Sequence, residues 1–416
     1  PKGGSILDRP VMKSVEDIPH GVDLAFLAVP LKAVAPALQA CISKGVKHVV
    51  ALTAGFKETG GDGERLEREM ADLIYQSSTR LVGPNCAGLC NTWNHFHGTI
   101  EIYPKKGDIS LISQSGSLCS AMSSNMVIRD CGISKYISVG NKADVQVADL
   151  VDYLGEDPTT KCIALYLEDI SDGKRFYETA LRVSHQKPIV VLKSGRTAEG
   201  AWATLSHTGA MAGEDAITDG AFRQMGIIRV DELTQLYDVA AALSKIGPLR
   251  ERKIGILSDA GGPGVLATDA AIANGLQVPR LSEGAREALR AHLAGFASVQ
   301  NPVDMTFTRD VELYARCVEI LYGDGMDGIL ISIPSHFSVK EKIVSVLTRV
   351  REELRVPMAL SWLCADEVEE ERRALWRNGI PAFGSPEQAI YCMGRLAWYG
   401  TWLAHRGEGK NRRSGF

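Results

Sequence analysis

The chain has 416 residues, of which 45% are hydrophobic and 23% charged, and its 46 basic and 50 acidic side chains leave a net charge of −4. That length exceeds what one hydrophobic core normally supports, so two or three domains are expected. The near-balanced charge gives no electrostatic case for nucleic acid or an anionic membrane surface, and no apolar run is long enough to span a bilayer.

Nine cysteines are scattered through apolar runs without CxxC spacing. This fits reduced, buried thiols rather than a disulfide framework or zinc site, so no metal centre is expected and a cytoplasmic location is. The chain opens PKGGSILDRPV, with no initiator methionine and no opening strand, and reads as a chain cut inside a domain.

Residues 1–105 alternate short apolar strands with helical patterns. VDLAFLAV from Val22 reads as a strand, followed by a helix from Leu31. VKHVVAL from Val46 is the next strand, Asp62 to Gln76 is an amphipathic helix, and Leu81-Val82 leads into GPNCAGLCNT. Such alternation predicts a doubly wound parallel sheet, whose ligands lie beyond the carboxyl ends of the strands. Three of those ends carry small or special residues: Val29-Pro30, Thr53-Ala54-Gly55 and Gly83-Pro84-Asn85-Cys86. A nucleotide-like ligand across this edge is expected, although the usual glycine-rich first turn is missing.

A second α/β unit, 106–248, starts with the strand DISLI, which runs into Ser113-Gln114-Ser115-Gly116-Ser117 and a helical pattern. Strand, Ser/Gly loop and helix make an anion site, because free amides and the positive end of the helix dipole face the loop. The plain alternative is a serine N-cap. A short strand then leads to Gly140-Asn141-Lys142-Ala143-Asp144, and a helix from Gln146 to Leu154 follows. CIALYL, from Cys162, is a central buried strand ending in Glu168-Asp169. PIVVL delivers the stretch from Lys193 to Asp215, whose glycines at 195, 200, 209 and 213 predict a long exposed loop with His207 in its middle. An imidazole there is a nucleophile, a general base or a solvated surface group.

Three features thus converge on one rim: an amide-lined anion pocket, a carboxylate and a histidine. A carboxylate bonded to one ring nitrogen fixes the tautomer and frees the other as a nucleophile. Phosphohistidine catalysis accounts for all three.

From Lys253 a third unit, 249–405, begins with IGIL and the glycine-rich SDAGGPG, which is neither GxGxxG nor a P-loop. Strands GILISI and MALSWL follow, then a helix near Glu387 to Tyr399, and the basic 406–416 end reads as a tail or linker.

Taken together, KSGRTAEGA…SHTGAMAGED, GPNCAGLCNT, SQSGS, GGPGVLA and NPVD make the chain resemble the α part of the NDP-forming (ADP-forming) acyl-CoA synthetases, relatives of the succinyl-CoA synthetase α subunit. The resemblance covers nearly the whole chain. It implies a Rossmann-like CoA-binding domain lacking its first strand, followed by two flavodoxin-like CoA-ligase domains. It implies interconversion of acyl-CoA, ADP and phosphate with a carboxylic acid, CoA and ATP through an acyl phosphate and a phosphohistidine. By the same resemblance His207 is phosphorylated, Glu168 hydrogen-bonds it, and Ser113, Ser115, Gly116 and Ser117 form the loop around it. Lys2, Val29, Pro30, Thr53, Ala54, Gly55, Asn85 and Cys86 fall on the CoA side. CoA is thus the implied cofactor, with ATP or ADP and Mg2+ bound by an ATP-grasp β subunit or fused domain that joins near the tail, and an oligomer is expected. Two alternatives stand at this point: a non-catalytic CoA-binding regulatory module, and a redox enzyme using the sheet for a dinucleotide.

Overall fold

A computed structural model describes residues 3–208, 214–334, 337–364 and 366–413. The chain divides into two units, Pro1–Asn125 with Gly132–Leu233, and Met126–Cys131 with Thr234–Phe416.

The first unit opens with a small hairpin, β1 (Ser5–Ile6) and β2 (Arg9–Pro10). A three-stranded parallel sheet follows, built from β3 (Leu24–Leu27), β4 (His48–Ala51) and β5 (Arg80–Val82), with α1 (Leu31–Ser43) and α2 (Gly61–Tyr75) as its crossovers. Its core sets Val49, Ala51 and Leu81 of the strands against Val34, Leu38, Met70 and Ile74 of the helices. Helix α2 buries that stripe and, apart from the buried Glu67, turns its charged residues to solvent, as an amphipathic crossover does.

A seven-stranded sheet completes the unit. Its strands are β6 (Gly88–Asn91), β7 (Phe96–Thr99), β8 (Lys106–Ser113), β9 (Ile133–Ser138), β10 (Cys162–Leu167), β11 (Ile189–Lys193) and β12 (Ile228–Val230), in the order β12-β11-β10-β8-β9-β6-β7. Helices α3 (Gly116–Ile128), α4 (Val147–Glu156), α5 (Gly173–Ser184), α6 (Ala198–Thr208) and α7 (Asp215–Met225) connect them. Leaving out β6 and β7, the parallel strands run second, first, third, fourth, fifth, the flavodoxin-like order, with its switch point between β8 and β10. Every residue of β10 is buried, as a continuous apolar run between two helix layers requires.

Two sequence expectations are corrected in this unit. GLCN and FHGT form a hairpin that adds to the second sheet, with β6 antiparallel to both β9 and β7, so this sheet is mixed at one edge. Each strand is only four residues long and lacks a clean alternation, which hides it from a pattern search. The stretch from Lys193 to Asp215 is not one long loop either, because α6 occupies Ala198–Thr208. Gly195 adopts φ +71° in the turn before the helix. Thr197 Oγ1 accepts from the Gly200 amide at 3.0 Å, the geometry of an N-cap, so these glycines punctuate the helix start rather than abolish the helix. Gly209 and Gly213 lie outside the described residues.

The second unit holds α8 (Leu233–Ile246) and a five-stranded parallel sheet of β13 (Ile254–Ser258), β14 (Val303–Asp304), β15 (Gly328–Ile333), β16 (Met358–Trp362) and β17 (Ala382–Phe383). Its order, β14-β13-β15-β16-β17, is again flavodoxin-like. Helices α9 (Gly261–Ala273), α10 (Glu283–Arg290), α11 (Glu312–Gly323), α12 (Lys340–Leu354), α13 (Glu369–Arg377) and α14 (Pro386–Arg413) surround it. The last of these continues into the polar stretch that the sequence suggests as a linker. No described helix is long and apolar enough to cross a membrane.

Candidate active site

The switch point of the seven-stranded sheet gathers the candidate residues. Register sets Ser113 of β8 beside Ser138 of β9 and Tyr166 of β10, and Leu167 beside Lys193 of β11, so the four strands end together. Just beyond Ser113, Ser115 Oγ accepts from the Leu118 amide at 3.4 Å and lies 3.3 Å from Ser117 Oγ. Ser113 Oγ in turn donates to the Ser115 carbonyl at 2.6 Å, which fixes the turn. A Cβ on Gly116 would come within 3.0 Å of Ala87 Cβ, so a bare glycine is what lets α3 start this close to the 83–88 segment. The serine loop is therefore a capped helix start, a geometry compatible with the anion site expected from the sequence.

Glu168 and Asp169 follow β10 and are both buried. The amides of Glu168 and Asp169 donate to Gln114 Oε1 at 2.5 and 3.1 Å, while Gln114 Nε2 donates to Asp169 Oδ1 at 2.6 Å. Lys142 Nζ reaches the same Asp169 Oδ1 at 2.6 Å. Burial works against the Asp169 carboxylate, yet Lys142 and the hydrogen bonds from Ser171 and Gln114 hold its pKa below the ordinary value. Lys142 itself is pushed down by burial, which Asp169 partly offsets. Buried in this way, the ion pair is a rigid strut behind Glu168 rather than a source of net stability.

At the edge predicted to face CoA, Thr53 Oγ1 donates to the Val29 carbonyl at 2.7 Å, and the Asn85 amide donates to the Thr53 carbonyl at 2.9 Å. Three of the predicted positions are thus tied into one rim, on which Pro30 and Ala54 are exposed and Gly55 takes φ +105°. Asn85, at φ +57°, donates through Nδ2 to Asn141 Oδ1 at 3.3 Å. Cys86 points elsewhere: it is 5% exposed, its thiol donates to the Ala51 carbonyl at 3.3 Å, and burial pushes it up to about 11.

A cavity lined by Lys57, Asn85, Gln114, Gly140, Asn141, Glu168 and Asp169 joins the two edges. It brings together Asn85, predicted on the CoA side, and Glu168, predicted beside the histidine. The backbone of His207 belongs to α6, and its side chain lies outside the described residues, as does Lys2 altogether. Sequence reasoning missed Lys57, Gln114, Asn141, Lys142, Asp169 and Lys193 as parts of the site. The usable signal was their place just past strand ends, since Gln114, Asn141, Lys142 and Asp169 each fall within four residues of one.

Family comparison agrees with this geometry. Residues 1–92 match the CoA binding domain, 106–243 the succinyl-CoA ligase like flavodoxin domain, and 254–401 the Ligase-CoA domain. The α subunit of acetate–CoA ligase (ADP-forming) II of Pyrococcus furiosus is 39% identical over 90% of this chain and 83% of its own length. The chain belongs to the ADP-forming acyl-CoA synthetases, as their α part.

The α subunit of the corresponding ligase I of the same organism is 36% identical, over 96% of this chain and 87% of that one. Among solved structures, the dinucleotide-forming acetyl-coenzyme A synthetase 1 of Ca. Korarchaeum cryptofilum, in complex with phosphate and ADP, superposes with a TM-score of 0.91 at 31% identity, covering 97% of this chain and 88% of that one. A protein from Pyrococcus horikoshii OT3 gives a TM-score of 0.85 at 34% identity, over 96% and 88% of the two chains. Membership in this acid–thiol ligase family supports the catalytic reading over the regulatory module, and it leaves the dinucleotide redox reading without support.

Proposed function

We propose that the chain carries the thioester, acyl phosphate and phosphohistidine chemistry of an ADP-forming acyl-CoA synthetase, with His207 as phosphoryl carrier. The observation that carries this reading is the cavity at the switch point, where Asn85 and Glu168 share one wall. In the first step a phosphate oxygen attacks the acyl carbonyl of the thioester, the carbon–sulfur bond breaks, and CoA leaves as the thiol. In the second, a ring nitrogen of His207 attacks phosphorus and the carboxylic acid departs as its carboxylate. In the third, ADP takes the phosphoryl group from His207 and becomes ATP. All steps reverse.

Within this scheme Glu168 accepts a hydrogen bond from the far ring nitrogen of His207 and so keeps the attacking nitrogen unprotonated. The Ser113, Ser115, Gly116 and Ser117 turn receives the phosphoryl oxygens at the α3 N-terminus. Lys2, Val29, Pro30, Thr53, Ala54, Gly55 and Asn85 line the approach of CoA, with Cys86 holding the wall from behind rather than touching substrate. ATP or ADP with Mg2+ is held by an ATP-grasp partner, which the α-subunit names of the relatives support. An imidazole suits this relay because it is nucleophilic near neutral pH and its phosphoramidate still transfers onward.

The test is phosphorylation of the chain with labelled ATP in the presence of its ATP-grasp partner. Acid-labile, base-stable label is expected, absent in His207→Ala and reduced in Glu168→Gln. Full labelling of His207→Ala would refute the mechanism.

A further inference from the structure

The cavity between Asn85 and Glu168 has to accept an acyl phosphate, yet its surroundings are rich in acid. Glu58, Glu67, Glu168 and Asp169 stand in or beside it, against the ammonium groups of Lys57 and Lys142. The carboxylates of Glu58, Glu67 and Asp169 are each held by specific neighbours. Glu58 Oε1 accepts from the Gly55 and Phe56 amides at 2.6 and 3.2 Å, and its Oε2 accepts from Asn141 Nδ2 at 2.6 Å. Glu67 Oε2 accepts from the same Asn141 Nδ2 at 2.7 Å and from the Lys57 amide at 3.2 Å. Asp169 is bound by Lys142, whose side chain is only 2% exposed and is committed to that pair.

Of the described residues lining the cavity, Lys57 alone carries positive charge. Its side chain remains 25% exposed, and its ion pair to Glu67 is long, at 3.6 Å. Its firm contact is with a neutral acceptor, the Asn141 carbonyl, at 2.5 Å. An ammonium anchored by a carbonyl keeps most of its charge for whatever else enters the cavity. We propose that Lys57 is a catalytic residue for the acyl-transfer half of the reaction: its ammonium holds the acyl phosphate as phosphate displaces CoA and as the phosphoryl group leaves for His207. Asn141 is the positioning residue behind it. Its carboxamide joins Glu58, Glu67 and Asn85, and its main-chain carbonyl seats Lys57.

The chemistry fits that placement. When phosphate oxygen adds to the thioester carbonyl, negative charge builds on the carbonyl oxygen and stays on the phosphoryl oxygens after the thiol has gone. A fixed cation stabilises both without reorganising, and removing one such group commonly costs about a hundredfold to a thousandfold in rate. Transfer between ATP and His207 takes place without an acyl group, so it does not call on Lys57.

This inference rests on the phosphohistidine reading, and two half-reactions separate the failure of one from the failure of the other. The complex of the chain with its ATP-grasp partner is labelled on His207 either from ATP or from acetyl phosphate, and CoA release from an acyl-CoA with phosphate is followed in parallel. Absence of label in the unaltered protein would remove the phosphohistidine reading itself. With label present, Lys57→Gln is expected to stay within about twofold for labelling from ATP and to fall about a hundredfold for labelling from acetyl phosphate and for CoA release. Lys57→Arg, which keeps the charge, is expected to recover at least a tenth of the lost activity. A Lys57→Gln protein that takes phosphate from acetyl phosphate as well as the parent does would overturn the assignment. So would equal loss in both half-reactions, which marks a structural role, or a Lys57→Arg protein no better than Lys57→Gln.

Discussion

The ammonium of Lys193 donates to the main-chain carbonyl of Glu168 at 2.8 Å and to that of Ser194 at 2.6 Å, inside a site where Lys193 is 5% exposed. Burial pushes this lysine below its ordinary pKa, and both of these acceptors are neutral main-chain carbonyls. The cation therefore pins the backbone on which Glu168 is mounted to the start of the segment that carries His207. Lys193→Met leaves both carbonyls short of a donor, at a cost of about 1–3 kcal/mol. The expected outcome is a modest fall in the urea midpoint together with a larger loss, about tenfold or more, in labelling of His207 from ATP. Unchanged labelling in a protein of lowered stability would show that Glu168 does not depend on this clasp.

Cys86 lies next to Asn85 on the edge proposed to face CoA, but its burial does not suit it to act as a thiolate there. With its thiol pushed up to about 11 by burial, about one molecule in a thousand is ionised near pH 8. Cys86→Ala is expected to retain acyl-CoA synthesis within about threefold and to lose about 1–3 kcal/mol of stability from the small void it leaves. Iodoacetamide followed by peptide mass mapping should leave Cys86 unmodified in the folded chain and modify it in urea. Fast modification in the folded protein would contradict the burial that the structure assigns.

Much of this site was legible along the chain, and what was not has a common cause. CIALYL was readable to the residue because a strand buried on both faces has no polar position to blur its ends. Glu168 was readable because it follows that strand directly. Lys57, Glu58 and Asn141 were not, since the contacts that give them meaning join residues 83 or 84 positions apart. Local patterning carries no trace of such pairs. Helix α6 was hidden for a different reason: a glycine in its first turn looks like a breaker until the Thr197 cap beside it is seen.

Gly140 is where the two edges of the cavity meet. Its φ is +55°, and a Cβ there would fall 2.1 Å from the Pro84 carbonyl oxygen and 2.5 Å from that of Asn85. Both atoms are backbone, so neither can swing aside. Gly140→Ala combines left-handed strain, about 1 kcal/mol, with a clash that must push the 140–142 turn off the 84–85 segment. That motion would break the bond from Asn85 to Asn141 and unseat Lys57. The expected result is a CoA-release rate lower by about a hundredfold, with labelling of His207 from ATP much less affected. Equal activity in Gly140→Ala and the parent would mean that the close approach is not needed for turnover.

The second unit offers a prediction about pH. Asp259 follows β13 at the carboxyl end of its sheet, is 1% exposed, and accepts from the Tyr314 hydroxyl at 3.2 Å. Burial, with a smaller push from the nearby charge of Asp304, raises its carboxyl to about 7. In the unfolded chain the same group titrates near 3.9, so the folded state binds its proton more tightly. Stability linked to this residue is therefore greatest in acid, declines as pH rises from about 4 to about 7, and is level above that. Asp259→Asn keeps an acceptor for Tyr314 and cannot ionise. Its stability relative to the parent should accordingly improve by about 2–3 kcal/mol between pH near 5 and pH near 8, read as urea midpoints at the two values. A difference that stays constant across that interval would show that Asp259 is ionised in the folded protein throughout.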